Sequence, residues 1–322
     1  AETAAFAAQT SDASLFDVML PLEPFSALSP SIDRIARLTV PACRAIVAGR
    51  YEQASALYSQ SLAAVLQPES AGTDEATRTW SIRALHYALG CIEAGLGRRQ
   101  ALSHAQELEN APGWLVPAWS VRRIYYGTFG NLREAERCRQ RIELLLLQSA
   151  VKPPLSAGAA HQHVYIAALS EDLTGMRRAI PEMEALAVFH PGFRPFVPFA
   201  RADHARICGS YDESLVLIDQ ALALMKPGEH PLWHWAVNTR LMAMLALGRA
   251  QEVRELGLRE LAVAQKVGLQ LMRAHIEIPL ALAETELGNY LPACERLDRV
   301  VATREAEGMQ GVVLGWAYEA RA

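Results

Sequence analysis

The feature that most constrains this chain is an internal repeat, a glycine followed five positions later by a small apolar or hydroxyl residue. It occurs five times: Gly49 to Ala54, Gly130 to Ala135, Gly209 to Ser214, Gly248 to Val253 and Gly288 to Ala293. Three of these glycines open a Gly-x-Tyr triplet, at Tyr51, Tyr211 and Tyr290. Each glycine sits between two stretches whose apolar residues recur with the 3.6-residue helical period. The spacing predicts helical hairpins. Glycine ends the first helix in the left-handed conformation without a Cβ clash, and Asn or Ser opens the second. The aromatic fills the gap at the turn, and the small residue lets the second helix approach the first. Such a hairpin cannot bury its apolar face alone, so successive copies stack.

The rest of the sequence fits an all-α chain. At 322 residues it exceeds the usual single core, which leaves two domains or one repeat array. Hydrophobic residues make up 51% and charged residues 20%, the balance of a folded protein. No stretch alternates apolar and polar residues long enough for a sheet, and Ala and Leu outnumber the strand formers. Helix pairs are expected near 31–66, 79–110, 116–148, 160–189, 195–226, 234–266 and 272–308. A terminal helix at 309–322 reads as the first half of an eighth pair, either a cap or the point where a parent protein continues. Residues 1–30 carry Pro21, Pro24 and Pro30 and read as a linker or an extended N-terminal strap. The chain begins with Ala and reads as processed or as part of something longer.

Aligned on the turn, one hairpin gives Ala202, Gly209, Tyr211, Ser214, Ile218 and Ala221. The last gives Ala281, Gly288, Tyr290, Ala293, Leu297 and Val300, and the first gives Ala42, Gly49, Tyr51, Ala54, Tyr58 and Ser61. These residues resemble the tetratricopeptide repeat family, over roughly residues 31 to 308. Anchoring on residues 54, 101, 135, 179, 214, 253 and 293 gives spacings of 47, 34, 44, 35, 39 and 40, against a family period of about 34. Stretched repeats of this kind are similar to those of bacterial multidomain signalling proteins: STAND ATPases, LuxR/MalT-like regulators and serine/threonine kinases. Three pairs depart from the pattern. Gly97 and Ala101 are one residue too close. The pair around Ala179 has no Gly-Tyr turn. The pair at 234–266 has Gly257 and Glu260 where the family has a bulky and a small residue.

Several function classes lack support. The net charge of −4 argues against a basic nucleic-acid face. Paired arginines such as Arg98-Arg99 and Arg122-Arg123 read as solvated helix surface. No apolar run approaches the length needed to cross a membrane. The cysteines at 43, 91, 138, 208 and 294 share no metal-binding spacing. They read as small buried hydrophobes of a reducing, cytoplasmic environment. GLGRRQ, at 95–100, lacks the third glycine and the preceding strand of a phosphate loop. His161 and His163 are two positions apart and diverge on a helix. No cofactor and no metal site is expected.

What remains is recognition. In the resembled family the first helix of each pair lines a concave surface. Carried over by position, this nominates Arg83, His86, His161, Phe199, Asp203, Arg206, Trp235, Asn238 and His275 as partner- or ligand-binding residues. Phe199 and Trp235 are equally suited to inter-repeat core. The expected function is a non-catalytic binding or sensor module of a regulatory protein, taking a protein, a peptide or a small effector, without direct contact to nucleic acid or membrane. One alternative is an α-solenoid enzyme with Asp203, Arg206 and His163 in a closed cavity. The other is a scaffold that forms homodimers through the terminal helix.

Overall fold

At each repeated glycine the backbone turns into the left-handed region, with φ between 72° and 88° at residues 49, 130, 209, 248 and 288. Those turns organise the computed structural model, which describes residues 30–67, 75–148 and 159–322. The strap expected N-terminal to Pro30 lies outside the described residues. Among them the secondary structure is all helical. The helices are α1 (Pro30–Val47), α2 (Tyr51–Leu66), α3 (Glu75–Gly95), α4 (Gln100–Glu109), α5 (Leu115–Phe129), α6 (Leu132–Gln148), α7 (Ala159–Leu169), α8 (Leu173–Phe189), α9 (Phe196–Ile207), α10 (Tyr211–Ala223), α11 (Trp233–Ala246), α12 (Ala250–Lys266), α13 (Ala274–Glu286), α14 (Tyr290–Ala306) and α15 (Val312–Arg321). The fold is of the tetratricopeptide-like α-α superhelix class, with seven hairpins and a terminal helix among the described residues.

The hairpin mechanism works through the backbone more than through side-chain caps. At Gly209 the amide of Gly209 donates to Arg206 O at 3.0 Å and that of Ser210 to Ala205 O at 2.9 Å. At Gly288 the equivalent bonds run to Thr285 O at 3.0 Å and from Asn289 to Glu284 O at 2.8 Å. This pair of hydrogen bonds satisfies the last carbonyls of the first helix and needs a residue that tolerates positive φ. The expected side-chain caps are absent at Ser210 and Asn289, because the backbone has already fixed the turn. Asn131 does accept a bond from the Glu134 amide, at 3.3 Å.

The small residues behave as the spacing requires: Ala54, Ala135, Ser214, Val253 and Ala293 are all buried against their partner helices. The turn aromatics do so unevenly. Tyr51 and Tyr211 are half-buried, but Tyr290 is 65% exposed and plugs nothing. Cys208 and Cys294, expected inside, are exposed, while Cys43 and Cys138 are buried and all five are free. The departures from the repeat have local causes. The pair without a Gly-Tyr turn places Glu171 in the left-handed position, at φ 50°. Gly257 lets α12 close on α13, where an added Cβ would stand 3.3 Å from Leu280.

Extensive helix packing occurs within most pairs, from most second helices to the next first helix, and between several successive first helices. The described residues divide into two compact units, one ending at Ala159 without Ala48–Arg50, and one made of Ala48–Arg50 and Ala160–Ala322. In the first, α3 packs on α5. Gly90 of α3 makes this close approach, with Val121 Cγ2 2.9 Å from where a Cβ would stand. In the second, α9, α11, α13 and α15 pack in series, each first helix on the next. The layer of first helices is therefore where residues from different repeats meet.

Candidate functional site

First helices that touch one another bring polar residues from separate repeats within bonding distance, and the second unit does this repeatedly. Asp203 (α9) accepts bonds on Oδ1 from Arg206 Nε at 2.8 Å and from Thr239 Oγ1 of α11 at 3.3 Å. Arg206 Nη1 extends the chain to Glu171 at 3.1 Å. Asp203 Oδ2 is buried without a partner, and burial raises its pKa above the usual carboxylate value, against the pull of Arg206. One repeat further, Asn238 Nδ2 of α11 donates to His275 O of α13 at 2.7 Å. Asp203 and Arg206 are thus brought together, as are Asn238 and His275.

Beside this ladder lies an aromatic cluster. Trp235 (α11) packs on the ring of His275 (α13) with centroids 4.3 Å apart, edge-on to Tyr165 (α7) at 5.4 Å and to Trp316 (α15) at 6.3 Å. His234 stacks on His275 at 4.8 Å. Burial lowers the pKa of His234 well below the ordinary histidine value and that of His275 to about 3. Both rings are therefore neutral at physiological pH. Burial raises the Tyr165 hydroxyl to about 12, although the charge of Arg304 favours the phenolate.

Arg304 is the unusual member. It lies in the last turn of α14 and is only 4% exposed. Its Nε and Nη1 are buried without a hydrogen-bond partner. Desolvation brings its pKa down to about 10, so it still carries its charge at neutral pH. Leaving such a charge uncompensated in a protein interior costs roughly 3–5 kcal/mol. His275 Nε2 and both ring nitrogens of His234 are also buried without partners. Elsewhere in the unit, buried arginines are matched: Arg296 holds Glu284 through two bonds of 2.9 and 3.1 Å.

The remaining nominated residues fall differently. Phe199 is fully buried in α9 and serves as core. Trp235, Asn238 and His275 are also buried, so their outward reach is small. His161 lies in α7, and its side chain falls outside the described residues. Arg83 and His86 belong to the first unit, on α3. Arg83 is half-buried, and His86 Nδ1 lies 2.9 Å from His104 Nδ1 of α4, a spacing that requires one donor and one acceptor. Burial lowers both pKa values. His163 pairs with Glu182 of α8 at 3.1 Å. Among the described residues no group of three His, Cys, Asp or Glu could hold a metal ion, and no helix is long and apolar enough to cross a membrane. A separate groove of about 340 Å³ opens between α10, α11 and α12, lined by Asp219, Arg240, Arg249 and Glu252 among others. None of the nominated residues lines it.

Tyr165, His234, Arg304 and Trp316 complete the cluster without having been nominated from the sequence. For Arg304 a signal exists: it continues the 3–4 spacing of Leu297 and Val300, which places it on the buried face of α14. Its position near a helix end, where arginine commonly caps, hides that signal.

The fold and this layer of first helices define a helical-repeat protein of the tetratricopeptide-like class. No protein-family model matches the chain, and no curated protein sequence does either. Among solved structures that share the fold is the crystal structure of a Rap protein complexed with competence and sporulation factor. It is 14% identical, with a TM-score of 0.62, and the match covers 87% of this chain and 78% of that one.

Proposed function

We propose that this chain is a non-catalytic recognition module that binds a peptide segment along the first helices of its second unit. The observation that carries the reading is the polar and aromatic series running from α7 through α9, α11 and α13 to α15, in which side chains of separate repeats converge. Aromatic faces beside a few placed donors are the usual composition of a peptide or ligand site. The Rap protein, of the same fold, complexed with its factor supports this reading. The finer expectations, a place in a larger cytoplasmic regulatory protein and a protein, peptide or small-effector partner, are part of the same proposal. Five free cysteines accord with a reducing compartment.

Met242 shares a helix face with Trp235 and Asn238 and is its half-exposed member, as Tyr165 is on α7. Peptides selected on the immobilised chain from a random-peptide display library should bind a Met242→Glu, Tyr165→Ser variant about tenfold or more weakly. Helical circular dichroism should be unchanged. Asp219→Ala with Arg249→Ala, in the separate groove, should bind as the parent does. No enrichment, or weakening by the groove pair alone, contradicts the proposal.

A further inference from the structure

The site in the second unit has a definite charge. Arg304 contributes one positive charge, and the rings around it are neutral. The groups that feel its charge are Tyr165 of α7 and His275 of α13, and neither is a carboxylate. The buried glutamates of the same helices are already matched: Glu277 to Arg273 at 2.7 Å and Glu284 to Arg296. The cluster is not sealed, since Tyr165 and Trp316 are both half-buried and so reach solvent. An interior cation with two idle nitrogens is arranged for an acceptor that the folded chain does not itself supply.

We propose that Arg304, with Trp235, His275 and Tyr165 around it, forms a receptor for a carboxylate carried on an aromatic or apolar group. A single negative charge balances the single positive one. A phosphate dianion would leave a net negative charge in the interior, which is costly. The flat rings of Trp235 and Trp316 suit the apolar part of the ligand. The carboxylate can come from a peptide C-terminus, from an acidic side chain or from a small organic acid.

The inference rests on the recognition reading above, and the two can fail separately. Titrating the full chain with sodium phenylacetate, followed by tryptophan fluorescence, should give a saturable change. Phenylacetamide, of nearly the same shape but uncharged, should bind about tenfold or more weakly, and inorganic phosphate should bind more weakly than phenylacetate. Arg304→Met should abolish the phenylacetate response and raise the Tm of the free chain, because the uncompensated charge is gone. Equal responses to acid and amide, tighter phosphate binding, or a phenylacetate response that survives in Arg304→Met would overturn the proposal. A lower Tm for Arg304→Met than for the parent also counts against it. The acid–amide comparison needs only the parent chain and stands however the variant folds. Display-selected peptides that bind equally well with amidated C-termini and no acidic residues would keep the peptide reading and remove the carboxylate. Equal loss of the amidated peptides in Arg304→Met would also remove the carboxylate. Selected peptides that bind only with a free C-terminus or an acidic residue support it, and the two arms tell those sources apart.

Discussion

Glu171 stands where the other hairpins use glycine, with φ at 50°. A left-handed conformation costs a residue with a Cβ about 1–2 kcal/mol. Its carboxylate recovers part of this by pairing with Arg206 at 3.1 Å, but Glu171 is largely exposed and such pairs contribute about 0–1 kcal/mol. The backbone term is larger, so Glu171→Gly should raise the stability by up to about 1 kcal/mol, read from denaturant midpoints. An unchanged or lower midpoint would show that the ion pair outweighs the strain. The histidines of the second unit give a second residue-scale expectation. His230 and His275 have pKa values lowered by burial to about 4 and about 3, and His234 is lowered as well. Between those values and the unfolded value near 6.5, the unfolded chain binds more protons than the folded one, so stability falls as the pH drops. Each such histidine contributes a slope of about 1.4 kcal/mol per pH unit within its window. Asp203 and Glu260, raised by burial, act in the opposite direction, as two groups against three. The Tm should therefore fall from pH 7 to pH 4.5, and the fall should be shallower in His275→Leu. A flat or rising Tm would contradict the burial of these rings in neutral form.

At the scale of elements, the hairpins were legible because their cause is local. Gly209, Ser214 and Ile218 lie within one turn and the start of one helix, and the steric demand on each is visible in its residue type. The boundaries were less so: the second pair starts at Glu75, earlier than the periodicity indicates. The role of Tyr290 was misread because a turn aromatic is buried only if a neighbouring element covers it, which a single hairpin does not encode. Close approach between first helices depends equally on partners far away in sequence. Gly90 is the case to test, since its α-carbon faces the stiff, branched Val121. Alanine there gains about 1 kcal/mol of helix propensity but crowds Val121, a strain of about 1–3 kcal/mol. Gly90→Ala should destabilise the chain in thermal unfolding, and Val121→Ala in the same background should recover part of the loss. A stabilised Gly90→Ala would show that α3 and α5 are not held this closely.

For the whole molecule, the repeat pattern carried the fold class, and the site only in outline. Position in the repeat pointed to α9, α11 and α13, and Asp203, Arg206, Asn238 and His275 do meet their neighbours there. It did not anticipate that these residues would spend their polar groups on one another. Nor did it anticipate that the unmatched charge would come from Arg304 on a second helix, because pairing across four repeats has no signature in any one of them. The division into two compact units was not read from the sequence, although the pair just beyond residue 159 is the one that lacks the glycine turn. The most direct measurement of the central claim is hydrogen–deuterium exchange on the full chain with and without a display-selected peptide. Recognition along the first helices of the second unit predicts slowed exchange in α7, α9, α11 and α13, with little change in α10 and α12. Protection confined to α10 and α12, or to helices of the first unit, would contradict it.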